Sequence, residues 1–201
     1  AALALHSGDA AADTAAIEAR GGWSAGLVEV RRDVGEAVMR ASLAVLPDDD
    51  FPDLAVLLCQ QHTPELVWRA DWLVHPNGAD AISSVTYFAP KPEKVAARLT
   101  VIWGAASVAE QPGGLLVATA GGAVHVLDEA ALLARFPGMR LPVGAARRAP
   151  CLVAISVHTR RFAASVIRAM RVAGVRVEEG AARRILVPAE HLGGVILELH
   201  G

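Results

Sequence analysis

The chain has 201 residues, 53% of them apolar and 20% charged, with a formal net charge of −2. So large an apolar share builds a core and excludes intrinsic disorder, while the near-neutral balance offers no basic field for a nucleic-acid backbone. No apolar run free of charged or helix-breaking residues reaches the ~18 that a membrane span requires.

Basic residues are nearly all Arg, since Lys91 and Lys94 are the two lysines among 19 Lys and Arg. Cys59 and Cys151 lie far apart in apolar runs, which reads as two buried free thiols in a reducing, cytoplasmic setting. There is no CxxC and no basic start leading into an apolar stretch of the kind a signal peptide has. The sequence opens at Ala1, without Met, directly on a strand-like pattern, so further residues upstream are expected.

Three stretches begin alike. Strand candidates Ala2–His6, Ile82–Phe88 and Leu152–Val157 are each followed by an Ala-rich helical stretch, at Ala10–Ala19, Pro92–Trp103 and Arg160–Ala173. In the last, Phe162, Val166, Ile167 and Met170 make one apolar stripe. Gly21, Gly104 and Gly174 follow the three helices, where a left-handed residue ends a helix.

More strands come after each glycine. The first stretch offers Leu27–Val30, Ala37–Val45 and Leu54–Gln60. The second offers a weak piece near Ser107, then Leu115–Thr119 and Ala123–Leu127. The third offers Val175–Glu178, Arg184–Val187 and Val195–Leu199, with Glu179-Gly180 read as a turn. The unit is therefore β-α-β-β-β, written three times. Linkers run over Gln61–Asp80 and Ala130–Pro150, the second with a short helix at Glu129–Arg135.

Tandem βαβββ units resemble the building block of the vicinal oxygen chelate superfamily, and within it the glyoxalase-like domain family of bacterial proteins. The closer match lies in Cys59-Gln60-Gln61-His62-Thr63-Pro64-Glu65-Leu66-Val67-Trp68 and in His75-Pro76-Asn77-Gly78-Ala79. Leu115–Leu127, Asp128–Gly138, Arg184–Pro188 and Gly193–Leu199 support it. The resemblance implies an α+β fold, glyoxalase/bleomycin-resistance/dioxygenase-like, with cupped mixed sheets and helices on the outer face. It places a first module at 1–66, a linker at 67–80 and a paired second and third module at 81–201. It also implies a small-molecule ligand and a divalent metal cofactor, held by the first and last strands of each module and supporting lyase or dioxygenase-type activity.

Carried over by position, the second module offers Ser84 and His125 and the third offers Leu152 and Glu198. Leu152 cannot bind metal, so His125 and Glu198 form an incomplete metal set. Substrate-binding candidates are Ser84, His125, Glu198, His62 and Trp68. Each has a plainer alternative: His125 as a half-buried ring held by a carbonyl, Glu198 as a solvated carboxylate, and His62 and Trp68 as a pinned linker. A metal-free binder like the bleomycin-resistance proteins, or a structural dimerisation protein, stands beside the enzyme. Three modules are an odd number for paired cups. The first is expected to find its mate in a homodimer or in a module upstream.

Overall fold

The structure, a computed structural model, describes residues 2–47, 51, 54–142, 150–160, 164–172, 178–180 and 184–201. Its contacts divide the chain into two units, one of Ala1–Leu73 with Ala97–Ala105, the other of Val74–Ala96 with Ala106–Gly201.

The first unit opens with β1 (Ala2–His6), α1 (Ala10–Ala19), β2 (Leu27–Val34), β3 (Ala37–Leu46) and β4 (Ala55–Gln61). The sheet order is β1-β4-β3-β2, with β1 parallel to β4 and the other pairs antiparallel. Helix α1 starts where the Asp9 carboxylate accepts the Ala12 N–H at 3.0 Å, satisfying a donor left free at the helix start. It ends at Gly21, whose φ of +88° suits the residue past a helix. Ile17 on its inner face packs with Ala44, Leu46, Val56 and Leu58 of the sheet and with Ile102.

Two more copies follow, with their strands in the second unit and Ala97–Trp103 of one helix in the first. One consists of β5 (Ala79–Phe88), a 3-10 turn (Pro92–Val95) running into α2 (Ala96–Trp103), β6 (Val108–Gln111), β7 (Gly114–Thr119) and β8 (Gly122–Leu127). Next comes α3 (Glu129–Arg135). The other copy consists of β9 (Cys151–Thr159), α4 (Ala164–Val172), β10 (Glu178–Gly180), β11 (Arg184–Val187) and β12 (Ile196–His200). The eight strands form one sheet in the order β10-β11-β12-β9-β5-β8-β7-β6. Within each copy the first and last strands are parallel, and the copies join where β5 meets β9 antiparallel. The fold is thus α+β, made of tandem βαβββ modules in mixed sheets.

Alternation sorts the two faces of this sheet. Ile185, Val187 and Leu199 form one cluster with Ile167 and Met170 of α4. On the other face α3 presents Leu132, and Phe136 and Met139 follow it, against Leu186 and Ile196. No helix among the described residues is long and apolar enough to cross a membrane.

Three local readings change. Glu179 and Gly180 lie within β10, where they pair with Ile185 and Arg184, and do not form a turn. The weak strand near Ser107 resolves into a 3-10 turn, Ala105–Ser107, followed by β6. Arg160 lies outside the third helix, whose described part is Ala164–Val172, while Phe162 and Gly174 lie outside the described residues.

Gly114 shows how tightly β7 and β8 are laid together. A Cβ there would lie 2.0 Å from the Val126 carbonyl oxygen, a backbone atom that cannot swing away. Gly114→Ala is expected to cost about 1–3 kcal/mol in chemical denaturation, as forced overpacking does.

Candidate functional site

The pairing of β5 with β9 sets the site. Thr86 lies opposite Ala154, and Ser84 opposite Ser156. This reciprocal pairing makes Thr86 and Ser156 equivalent positions in the two modules, and likewise Ser84 and Ala154. In the parallel pairs, Thr86 stands beside His125 and Ser156 beside Glu198. The four equivalent positions on one face are therefore Thr86, His125, Ser156 and Glu198. The positions that the resemblance implies, Ser84 and Leu152, differ from these: the register sets Ser84 opposite Ser156 and Leu152 opposite Tyr87. Sequence reasoning does not find Thr86 and Ser156: Ser84 and Thr86 alternate with apolar residues in β5, but in β9 Ser156 stands alone between Ile155 and Val157. Ser84 lies two residues along from Thr86 and is buried.

Glu198 is 7% exposed, so its charge must be met within the protein. The Ser156 hydroxyl donates to its Oε2 at 2.5 Å. Arg184 Nε forms an ion pair with Oε1, and Arg135 Nη2 stands 3.7 Å from Oε2. Arg184 also donates to the Arg135 carbonyl at 2.6 Å, satisfying an acceptor left free at the end of α3. Both guanidinium groups lie over the Phe136 ring, at 5.6 Å for Arg135 and 5.4 Å for Arg184. The helix that packs on this face thus delivers Arg135 to the carboxylate. Burial lowers the Arg135 pKa from its usual value, with Glu198 opposing and Arg184 adding to the fall.

Thr86 is fully buried, and its Oγ1 has no hydrogen-bond partner among the described residues, nor has Arg135 Nε. The His125 ring meets the Gln111 amide through Nδ1, 3.2 Å from Nε2 and 3.3 Å from Oε1. Its pKa is pushed down from 6.5 to about 4, first by burial, then by the positive Arg135, with Glu198 pulling the other way. At neutral pH the ring is uncharged, fit to donate or accept a hydrogen bond but not to pair with an anion by charge.

Two hydroxyls, one imidazole and one carboxylate already bound by cations are a poor set for a divalent ion. Among the described residues no three His, Cys, Asp or Glu side chains gather as a metal site would need. The set of His125 and Glu198 gains no third ligand of that kind.

The other candidates lie in the first unit and are not brought together. His62 follows β4 and reaches Ser42 Oγ at 2.6 Å. Trp68 follows a 3-10 turn at Pro64–Leu66, and its ring stands 5.6 Å from that of His6 on β1.

No protein-family model and no curated protein matches this sequence. Among solved structures, a hypothetical protein from Staphylococcus aureus superposes with a TM-score of 0.61 at 9% identity, over 98% of this chain and 63% of that one. This chain thus spans less than two thirds of that protein's length. Methylmalonyl-CoA epimerase from Mycobacterium tuberculosis aligns with a TM-score of 0.44 at 17% identity, over 65% of this chain and 93% of its own. A glyoxalase/bleomycin resistance protein/dioxygenase from Nocardioides aligns with a TM-score of 0.28 at 16% identity, over 68% and 91%. The strand order and the parallel first and last strands of each module define the class: the chain has a vicinal oxygen chelate fold.

The depressed His125 pKa fixes a sign for stability against pH. The unfolded chain takes up a proton near 6.5 and the folded one only near 4, so this contribution is complete above pH 6.5 and is lost as pH falls towards 4. With the ring half-buried, the loss amounts to about 1–2 kcal/mol after allowing for solvent screening. Denaturation midpoints between pH 7 and 4 are expected to fall for the natural protein and to fall less for His125→Gln.

Proposed function

We propose that this chain is a small-molecule-binding protein on a vicinal oxygen chelate fold, and that its cup works without a metal ion. The observation that carries this reading is the engagement of Glu198 by Arg184, Arg135 and Ser156. A divalent cation at Glu198 would have to displace guanidinium groups that already neutralise it. Two guanidiniums against one carboxylate leave one positive charge, and the side chains of Arg135 and Arg184 are 30% and 25% exposed. A ligand with adjacent carbonyl or carboxylate oxygens suits that charge, with Ser84, Thr86 and the uncharged His125 as further hydrogen-bonding groups.

The test is elemental analysis of protein purified without chelator, alongside a titration with oxalate, a dianion with adjacent oxygens. Metal well below one equivalent is expected, together with oxalate binding that Arg135→Gln weakens. One equivalent of a divalent metal, lost in His125→Ala, would overturn the reading and restore the metal-dependent lyase or dioxygenase that the family resemblance implies. Absence of oxalate binding would favour a cup with a structural role.

We infer further that the first module pairs with a second copy of the chain. Modules two and three join through their first strands, β5 with β9. The matching strand β1 is an edge, bonded on one side to β4 and to no other strand among the described residues. An edge of this kind invites a partner strand. Light scattering after size exclusion is expected to give twice the monomer mass. A monomer at every concentration would overturn the inference and favour a mate supplied by a further module.

A further inference from the structure

The first unit contains an open depression of about 460 Å³ lined by Glu29, Arg31, Arg40 and His62, on a different sheet from Glu198 and its partners. Its floor follows from strand register. Arg31 and Arg40 are direct partners across β2 and β3, and Glu29 and Ser42 are the next pair on the same face. The His62 N–H donates to the Arg40 carbonyl at 2.9 Å, which extends the first row to Arg31, Arg40 and His62. Thr63 Oγ1 accepts the Arg40 N–H at 2.9 Å and fixes the chain just past His62.

Like charges placed directly opposite each other in a sheet are unfavourable. Here neither guanidinium has a hydrogen-bond or ion-pair partner among the described residues, and both are exposed. The one carboxylate in the depression is partly engaged, since the Ser42 hydroxyl donates to Glu29 Oε1 at 2.6 Å. That hydroxyl has a single proton. Its second contact, His62 Nε2 at 2.6 Å, must therefore be donated by the imidazole. The Glu29–Ser42–His62 chain holds the ring with Nδ1 as its remaining polar atom.

We propose that this depression binds a small phosphomonoester carrying a free hydroxyl. Two guanidinium forks on neighbouring strands match the several oxygens of a compact dianion better than a single carboxylate does. With Glu29 counted, the two arginines leave one net positive charge before any contribution from His62. The free oxygen of Glu29 repels a bare anion but accepts a hydrogen bond from a ligand hydroxyl, which selects a phosphorylated polyol over inorganic phosphate. The volume falls in the range of small-ligand sites, about 300–1,000 Å³.

Calorimetric titration of the intact protein with glycerol 3-phosphate, inorganic phosphate and malonate tests this. Glycerol 3-phosphate is expected to bind one to one and more tightly than the other two. Arg31→Gln and Arg40→Gln should each weaken it at least about tenfold, the effect of losing a charge-assisted contact. The double variant should abolish binding, with thermal unfolding at or above that of the natural protein as the check that it folds. Glu29→Gln should raise affinity for inorganic phosphate and reduce the preference for glycerol 3-phosphate. No binding at millimolar ligand, undiminished binding in the folded double variant, or tighter binding of malonate would each overturn the assignment. None of these results depends on the cup of the second unit, which oxalate and the Arg135 variant probe separately.

Discussion

The antiparallel pairing of β5 with β9 is the contact on which the second unit depends. It makes one eight-stranded sheet from two four-stranded modules and buries the edge that each module would otherwise expose. It also fixes chemistry. Because Thr86 faces Ala154 while Ser84 faces Ser156, the two modules are related by a local two-fold. A one-residue slip would turn every side chain of β9 to the other face. Ser156 and Glu198, held together by the pairing of β9 with β12, would then stand on the opposite face from Thr86 and His125.

At those four positions stand two hydroxyls, an imidazole and a carboxylate met by two guanidinium groups. A buried ion pair is weak evidence for stability, because desolvation of the charges offsets much of their attraction. Arg135, Arg184 and Glu198 therefore need another reason for their place. The sheet face supplies part of it. Phe136 and Leu132 pack against Leu186 and Ile196, so α3 must end close to Glu198, and Arg184 ties its last carbonyl down. The charges specify where the linker helix lies. Burial first, and the positive Arg135 second, lower the His125 pKa and favour its uncharged ring.

The repeat was legible because each copy opens on an apolar strand, runs into a helical stretch and then meets a glycine. The Ala-rich helix at Ala10–Ala19 and the short helix at Glu129–Arg135 were read with the bounds the structure gives them. Asp9 and Asp128 each cap such a helix by accepting an N–H three residues on. Strand ends were less legible, since β5 begins at Ala79, where polar Asp80 breaks the apolar run. Long-range facts were not legible at all. No spacing along the chain announces that Arg135 and Arg184, in a linker helix and a strand, converge on Glu198. Nor does it announce that Arg31 and Arg40 become neighbours, which needs the hairpin register of β2 and β3.

The first module shows why copies of one unit diverge. Its sheet needs more cover than the ten residues of α1 provide, and the stretch Ala97–Ala105 supplies it, with Ile102 against Leu46, Val56 and Ile17. Arg20 seals that arrangement by donating to the carbonyls of Val101 and Ile102, at 2.8 and 2.9 Å, where a helix end leaves acceptors unmet. Arg98 does the same for the end of β3, donating to the carbonyl of Leu46 at 3.1 Å. Arginines that close a backbone end are thereby committed to structure. Arg31 and Arg40 close no backbone end, and they stand exposed within two strands where a lysine, threonine or glutamate would serve a sheet equally well. A sheet that sets two cations opposite each other, neither with a partner among the described residues, gives up stability at that point. A bound anion is the partner that turns this local cost into a gain.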